Sequence, residues 1–245
     1  MLTPVHKISI VNADANWLDI TNIGENRSTP LGVESIKINK TKTDYSQECV
    51  ITLVSKYSLT SVIGNGGKYQ FSYALPTNDE VIFGEGGVDE TNGYFRYDIG
   101  DMAYVRFGYN ESEGISDPDG FFGFVSKALV IDDKKIIITL QNHAYLLKKN
   151  LYNYSVKEDY KVTDLFKKII DGYNETFDSI YSSVLNNLQE RNVEFADTLI
   201  ESGYIDDKFL TNVSYTMKNF RAENATAVDL LDMLQEKYFT RSLLF

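Results

Sequence analysis

The chain has 245 residues, a formal charge of −11, 43% hydrophobic and 13% aromatic content, and one cysteine. Its length suffices for one large or two ordinary domains, each with a buried core, and its acidity opposes general nucleic-acid binding, which draws on Lys and Arg to release counterions from phosphate. A lone Cys49 excludes an intramolecular disulfide and every multi-cysteine zinc site, and it reads as a small buried apolar group.

In chain order, the first thirty residues lack a basic segment followed by an apolar run, and no stretch reaches the ~18 apolar residues of a membrane helix, so folding in the cytoplasm is expected. Residues 5–11 alternate as a strand, 12–16 supply turn residues, and 17–20 follow as a short strand or as core filling. Residues 33–40 and 48–55 are stronger strands. Ile36 and Ile38 share a face in the first, Cys49, Ile51 and Leu53 in the second, and the polar run 41–47 joins them as a hairpin. Gly64-Asn65-Gly66-Gly67 is a turn, after which Tyr69, Phe71 and Tyr73 alternate until Pro76 stops the strand. Residues 77–93 read as a long loop enclosing at most a short strand at 80–83, and a contact between subunits is its preferred use.

The densest signal lies at 97–149. Gly100-Asp101 is a turn dipeptide delivering the chain into a strand in which Ala103, Val105 and Phe107 alternate with Tyr104 and Arg106, and Gly108-Tyr109 ends that strand. After an acidic loop, Phe122, Phe124, Ser126 and Ala128 share one face of the next strand, and Gly123 removes a side chain from the other. The tip Asp132-Asp133, then Lys134-Lys135 and residues 136–140, make a hairpin return, so three consecutive antiparallel strands are predicted.

Beyond Lys149 the apolar period changes from 2 to about 3.6. Thr163-Asp164 caps a predicted helix whose stripe is Leu165, Phe166, Ile169 and Ile170, with Gly172 near its end. A second predicted helix at 177–191 places Phe177, Ile180, Tyr181, Val184, Leu185 and Leu188 on one face. Residues 193–195 read as extended, 197–202 as a helical turn broken by Gly203, and Val213, Tyr215 and Met217 alternate as a strand. The last helix begins at Thr226, with Asp229 returning the capping interaction, and Val228, Leu231, Leu234 and Tyr238 continue its stripe. Residues 242–245 are an apolar, strand-like run.

Patterns that carry chemistry are scarce. His6 lies in an N-terminal strand and His143 at a strand-to-helix junction; neither has a spaced metal partner, and His143 reads as a hydrogen-bonded structural residue. The sequence contains no nucleophile elbow, P-loop or dinucleotide fingerprint, and Gly84-Glu85-Gly86-Gly87 lies in an acidic stretch that would repel phosphate. Asp117-Pro118-Asp119-Gly120 reads as a plain turn, lacking the further ligands of a calcium loop. No catalytic residue, metal ligand or cofactor site is expected. Carboxylates are plentiful enough to leave a glycosidase open, and the many tyrosines would suit a sugar-binding module, whose mark would be three or more exposed coplanar aromatics on one sheet face. Residues 77–120 hold eleven acids against two bases, Arg96 and Arg106, a local balance of −9, and a solvated surface is the plain reading.

The order of features resembles the baseplate hub proteins of phage tails, the late-control-protein-D-like family. Gly-Asp enters an alternating strand with Gly-Tyr; Phe-Phe-Gly-Phe-Val, an acidic hairpin tip and a strand running into His-Ala-Tyr-Leu-Leu-Lys-Lys follow. The resemblance covers 97–173 and resumes at 224–234, where Asn-Ala-Thr-Ala-Val-Asp-Leu-Leu-Asp-Met-Leu is similar to a Thr-capped, leucine-rich helix of those proteins. It implies an α+β protein: an N-terminal antiparallel β-barrel or sandwich, tail-tube-like, over 1–150, then a smaller α+β domain with amphipathic helices over 151–245. The structural signature would be Gly100, Asp101, Gly108, Tyr109 and Gly123. The implied role is a structural hub joining a tail tube to a central spike around a channel, with no enzymatic activity and no cofactor. The implied partners are further copies in a homotrimer, the tube, the spike and other baseplate proteins, in a virion tail assembled in the host cytoplasm. DNA would pass without specific binding, and the acids of 77–120 would form a wall that repels it. More protein follows the last helix and strand in that family, so the chain is expected to be a short hub or an N-terminal piece of one. The alternative is a carbohydrate-binding or cell-wall-degrading tail module.

Overall fold

Period-2 alternation governs the first half of the chain. In a computed structural model, residues 4–15, 17–21, 31–39, 46–55, 59–63, 69–73, 94–109, 120–131, 134–149, 151–156, 159–193, 195–206 and 216–238 are described. Four strands come first: β1 (Pro4–Val11), β2 (Trp17–Thr21), β3 (Leu31–Asn39) and β4 (Glu48–Ser55). β5 (Leu59–Ile63), β6 (Tyr69–Tyr73) and β7 (Tyr94–Tyr97) pair with one another as a separate sheet; β8 (Met102–Tyr109), β9 (Phe121–Val130) and β10 (Lys135–Gln141) follow. The other seven strands make one antiparallel sheet in the order β2-β1-β8-β9-β10-β4-β3.

Each of those seven strands contributes to one apolar cluster, for example Ile8, Leu18, Ile36, Ile51, Val105, Val125 and Ile138, and among the described residues Tyr97 is the one member from elsewhere. Ile8, Ile51, Val105, Val125 and Ile138 are nonetheless 0% exposed. With no covering layer among the described residues, that face reaches such burial by curling over itself, each such side chain contributing roughly 1.5–3 kcal/mol. The edge strands β2 and β3 come within 8 Å between Cα atoms but exchange no ladder bonds. The expected barrel is therefore a curled sheet that is not closed. Its edges explain why: β2 has five residues, and β3 carries a bulge between Val33 and Ser35 that twists it out of a regular ladder.

β9 departs from the predicted alternation. Its pairing with β10 shifts between Thr139 and Leu140, leaving Ser126 as an extra residue whose hydroxyl donates to the Thr139 carbonyl at 3.0 Å. Phe122 and Phe124 therefore point outward while Ala128 joins Phe121 and Val125 in the interior, so the four residues expected on one face are split. Gly108-Tyr109 ends β8 as expected, both residues still in the ladder opposite Val5 and Pro4.

The second half packs on that outward aromatic pair. It comprises α1 (Ala144–Leu147), β11 (Leu151–Val156), β12 (Tyr160–Lys161), α2 (Val162–Glu190), α3 (Ala196–Gly203), β13 (Thr216–Met217), β14 (Phe220–Thr226) and α4 (Ala227–Tyr238). β11 pairs with β14 and β12 with β13. The two helices expected at 163–172 and 177–191 are one helix of 29 residues, α2, whose N-cap, Lys161, makes no side-chain cap bond. Gly172 does not end it. A Cβ there would lie 2.7 Å from the Tyr152 hydroxyl, so glycine admits β11 to the helix surface. The buried stripe runs unbroken through Ile169, Tyr173, Phe177, Tyr181, Leu185 and Leu188, and Ile180, expected within it, is 45% exposed. Thr226 and Asp229 do form the reciprocal cap: the Asp229 amide donates to Thr226 Oγ1 at 3.1 Å and the Thr226 amide to Asp229 Oδ2 at 2.9 Å. The strand at 80–83, the tip Asp132-Asp133, Val213, Tyr215, the run 242–245 and most of the acidic stretch lie outside the described residues.

A Cβ on Gly123 would lie 2.7 Å from the Gln141 carbonyl oxygen of β10, whereas one on Gly32 meets nothing nearer than 3.8 Å. In urea unfolding, Gly123→Val should cost about 1–3 kcal/mol or more and Gly32→Ala less than about 1 kcal/mol. Equal stability of the two variants would refute the β9–β10 register.

Candidate functional site

The predicted signature residues Gly100, Asp101 and Gly123 converge on one place, where sheet and helices join. Asp98 to Asp101 form a turn with Gly100 at φ +103°, a conformation that favours glycine. The Asp101 amide donates to the Asp98 carbonyl at 3.2 Å, and the buried Asp101 carboxylate accepts the Asp98 amide at 2.5 Å. The turn is fastened to β9 by two bonds, Gly100 N–H to Val125 O at 2.7 Å and Val125 N–H to Asp101 O at 2.8 Å. Gly123 sits two residues away, opposite Ala103. Gly108 and Tyr109 belong to the far end of β8 and take no part in this junction.

Helix α2 reaches the same turn. The Tyr181 hydroxyl donates to the Gly100 carbonyl at 2.5 Å, and its ring stacks on Phe124 with centroids 5.4 Å apart; Tyr145 of α1 stacks on Phe124 at 5.6 Å. A Cβ on Gly100 would approach the Tyr145 hydroxyl to 3.1 Å, so the same residue meets the φ requirement and leaves room for α1. Phe122 and Phe124 each pack edge-on against Phe177. Burial raises the hydroxyl pKa of both Tyr173 and Tyr181, which keeps them protonated donors.

The end of α3 is held from the same side. His143 Nε2 lies 2.9 Å from the Ser202 carbonyl, the Tyr173 hydroxyl donates to the Gly203 carbonyl at 2.9 Å, and the Asn174 amide group bonds both the N–H and the C=O of Ile205. Gly203 lies against the Phe177 ring and leaves no room for a Cβ. The Tyr204 hydroxyl donates to Asp178, an interaction that, together with burial, pushes its pKa up to about 12. At the other end of α2, the Arg191 guanidinium sits 4.7 Å from the Trp17 ring centroid and donates to the Ala15 carbonyl at 2.8 Å.

Tyr145 contributes its ring; the hydroxyls of Tyr173, Tyr181 and Tyr204, the His143 imidazole, the Asn174 amide and the Arg191 guanidinium each meet a backbone group or a neighbouring carboxylate. Such a set fixes orientation; it does not place a base beside a nucleophile. Among the described residues no cluster of three or more His, Cys, Asp or Glu could hold a metal, and Cys49 is fully buried inside the curled sheet. Among the aromatics whose side chains are described, none is fully exposed. No described helix is long and apolar enough to cross a membrane. Sequence reasoning missed Tyr173 and the Trp17–Arg191 contact; the unbroken spacing from Ile169 through Tyr173 to Phe177 was the signal for the first, and Arg191, 174 positions from Trp17 in the sequence, offers none for the second. Compared with models of known protein families and with curated proteins, the sequence finds no match.

Two outcomes follow from this geometry. Phe124→Ala should cost about 3–5 kcal/mol of unfolding free energy and Tyr181→Phe about 1 kcal/mol, measured by urea denaturation; a Tyr181→Phe effect equal to that of Phe124→Ala would mean that the hydroxyl, not ring packing, holds the junction. Burial also lowers the pKa of His143, and of His6, below the usual imidazole value. Unfolding then takes up protons, so stability falls as pH drops below about 6.5, by up to about 1.4 kcal/mol per pH unit for the deeply buried His143 and by less for the half-exposed, solvent-screened His6. The loss between pH ~7.5 and ~5.5 should be smaller in His143→Gln; an unchanged loss would remove His143 from the account.

Proposed function

We propose that the chain is a structural hub of a phage tail or related injection system, joining a tail tube to a central spike around a channel. The observation that carries this reading is that three of the five signature residues, Gly100, Asp101 and Gly123, meet at one junction, although Gly108 and Tyr109 lie at the far end of β8. The Gly100-Asp101 turn bonds to the Phe-Phe-Gly-Phe-Val strand, and the short helix after His143 stacks Tyr145 on the same Phe124. The curled seven-stranded sheet supports it too, since an open-seamed version of the tail-tube-like barrel is a surface built to lie beside neighbours. In this reading the N-terminal sheets of three copies make the ring, and the helical part is carried on its outer side through Phe122 and Phe124. Tube, spike and other baseplate proteins are the partners, the place of action is the virion tail, and DNA passes the channel without being bound. Of the acids of 77–120, those engaged neither in the turn at Asp98–Asp101 nor in contacts between copies keep the channel wall from attracting phosphate. The work is done by shape and needs no catalytic group.

Light scattering of the full chain across a concentration series, with negative-stain imaging of the largest species, tests this. The expected result is concentration-dependent association culminating in three-fold rings. A chain that stays monomeric at every concentration, or that cleaves murein and loses the activity on mutation of one carboxylate, would overturn the hub reading.

A further inference from the structure

The bulge at Ser126 gives the second half of β9 an outward face unlike the rest of the protein. Register places Lys127 beside Thr139, Val50 and Lys37, then Leu129 beside Ile137 and Thr52, then Ile131 beside Lys135 and Val54. Leu129 is 49%, Ile131 50% and Val54 37% exposed, three of the seven exposed large apolar side chains among the described residues, and all on this one face. The lysines Lys37, Lys127 and Lys135 border them. Among the described residues the acids nearby are Glu34, which pairs with Lys135 at 2.6 Å, and Glu48 on the row at the opposite end; Asp132 and Asp133 follow Ile131 in the sequence. A basic, apolar face on a chain of net charge −11 calls for an occupant that is acidic and apolar at once.

The chain itself contains such a segment. Residues 77–93 hold five acids, Asp79, Glu80, Glu85, Asp89 and Glu90, and no base, and the apolar run Val81-Ile82-Phe83 lies between acids on either side. We propose that the outward face of β9, β10, β4 and β3 docks segment 77–93 of a second copy of this chain. The proposal rests on the hub reading and deepens it by naming the contact between copies. A ring requires head-to-tail interfaces, in which each copy offers two different complementary patches, and these are two patches of opposite charge that share an apolar component. A nucleic acid would satisfy the lysines but leave Leu129, Ile131 and Val54 in water, whereas the segment covers both kinds of group.

Sedimentation velocity on the full chain tests the contact through two charge-reversed variants. One carries Lys37→Glu and Lys127→Glu; the other carries Asp79→Lys, Glu80→Lys and Glu85→Lys. Each variant alone should associate at least about tenfold more weakly than the wild type, and an equimolar mixture of the two should recover association, since each then offers the other a complementary patch. Leu129→Ser, which leaves charge unchanged, should weaken association as well. Wild-type association that survives face reversal, or a mixture that fails to recover it, overturns this contact and leaves the hub reading standing. A wild-type chain that never associates overturns the hub reading first. The substituted face residues are exposed or form no part of either core, so unchanged melting by circular dichroism is expected to accompany each result.

Discussion

One strand has to face two cores, and the extra residue at Ser126 makes that feasible. Before it, β9 sends Phe121 and Val125 into the curled sheet and Phe122 and Phe124 out to the helices; after it, Ala128 points inward and Lys127 outward. Had the alternation continued unbroken, Lys127 would have entered an interior whose members are nearly all fully buried. An unpaired ammonium there costs far more than one interrupted ladder position, so the bulge is the cheaper arrangement. Its unpaired hydroxyl is satisfied by the Thr139 carbonyl, which removes most of the remaining penalty. Gly123 belongs to the same constraint, because β9 can approach β10 at Gln141 only where a side chain is missing.

Around that strand, apolar and polar groups divide the work. The stacked and edge-on rings at Phe122, Phe124, Phe177 and Tyr181 supply the bulk of the attachment energy, several kcal/mol for each large ring, while each hydroxyl or imidazole bond adds about 1 kcal/mol. The polar bonds matter more for angle than for strength. Tyr181 reaches the Gly100 carbonyl and Tyr173 the Gly203 carbonyl, so a sliding of α2 by one turn would leave two carbonyls without donors, while His143, just before α1, holds the Ser202 carbonyl of α3. The same logic applies at Ala15, held at φ +57°, which an alanine adopts at a cost of about 1–2 kcal/mol. Its carbonyl receives Arg191, whose guanidinium also covers Trp17, and its side chain is buried in the helix-side core.

Much of the sheet was legible in the sequence because alternation is a local signal. Ile36 with Ile38, Cys49 with Ile51 and Leu53, and Ala103 with Val105 face inward as their spacing implies, and the pairing at Thr226 and Asp229 is a short-range pattern that the chain obeys. What escaped depends on partners far away in sequence. Gly172 looks like a helix end until Tyr152 is seen against it; Ser126 looks like one more outward residue until the register with β10 is known; β14 lacks alternation strong enough to mark a strand, and β11 supplies its partner. Barrel closure was misjudged for a related reason, since the count and apolar faces of strands are readable but the fit between the two edges is not. The junction was half legible: Gly100-Asp101 announced a turn, yet nothing local tied that turn to Tyr181, 80 residues on.

The length of α2 gives these separate contacts a common consequence. At 29 residues it extends about 44 Å, far beyond the one contact that would suffice to bury an apolar stripe. It is fixed at three stations: Tyr152 of β11 at Gly172, the aromatic pair of β9 at Phe177 and Tyr181, and the β1–β2 turn at Arg191. Close-packed cores transmit displacement instead of absorbing it, so a helix pinned at three stations ties the orientation of the helical part to that of the sheet. The proposed hub role, which presents faces at fixed angles, would make use of such coupling.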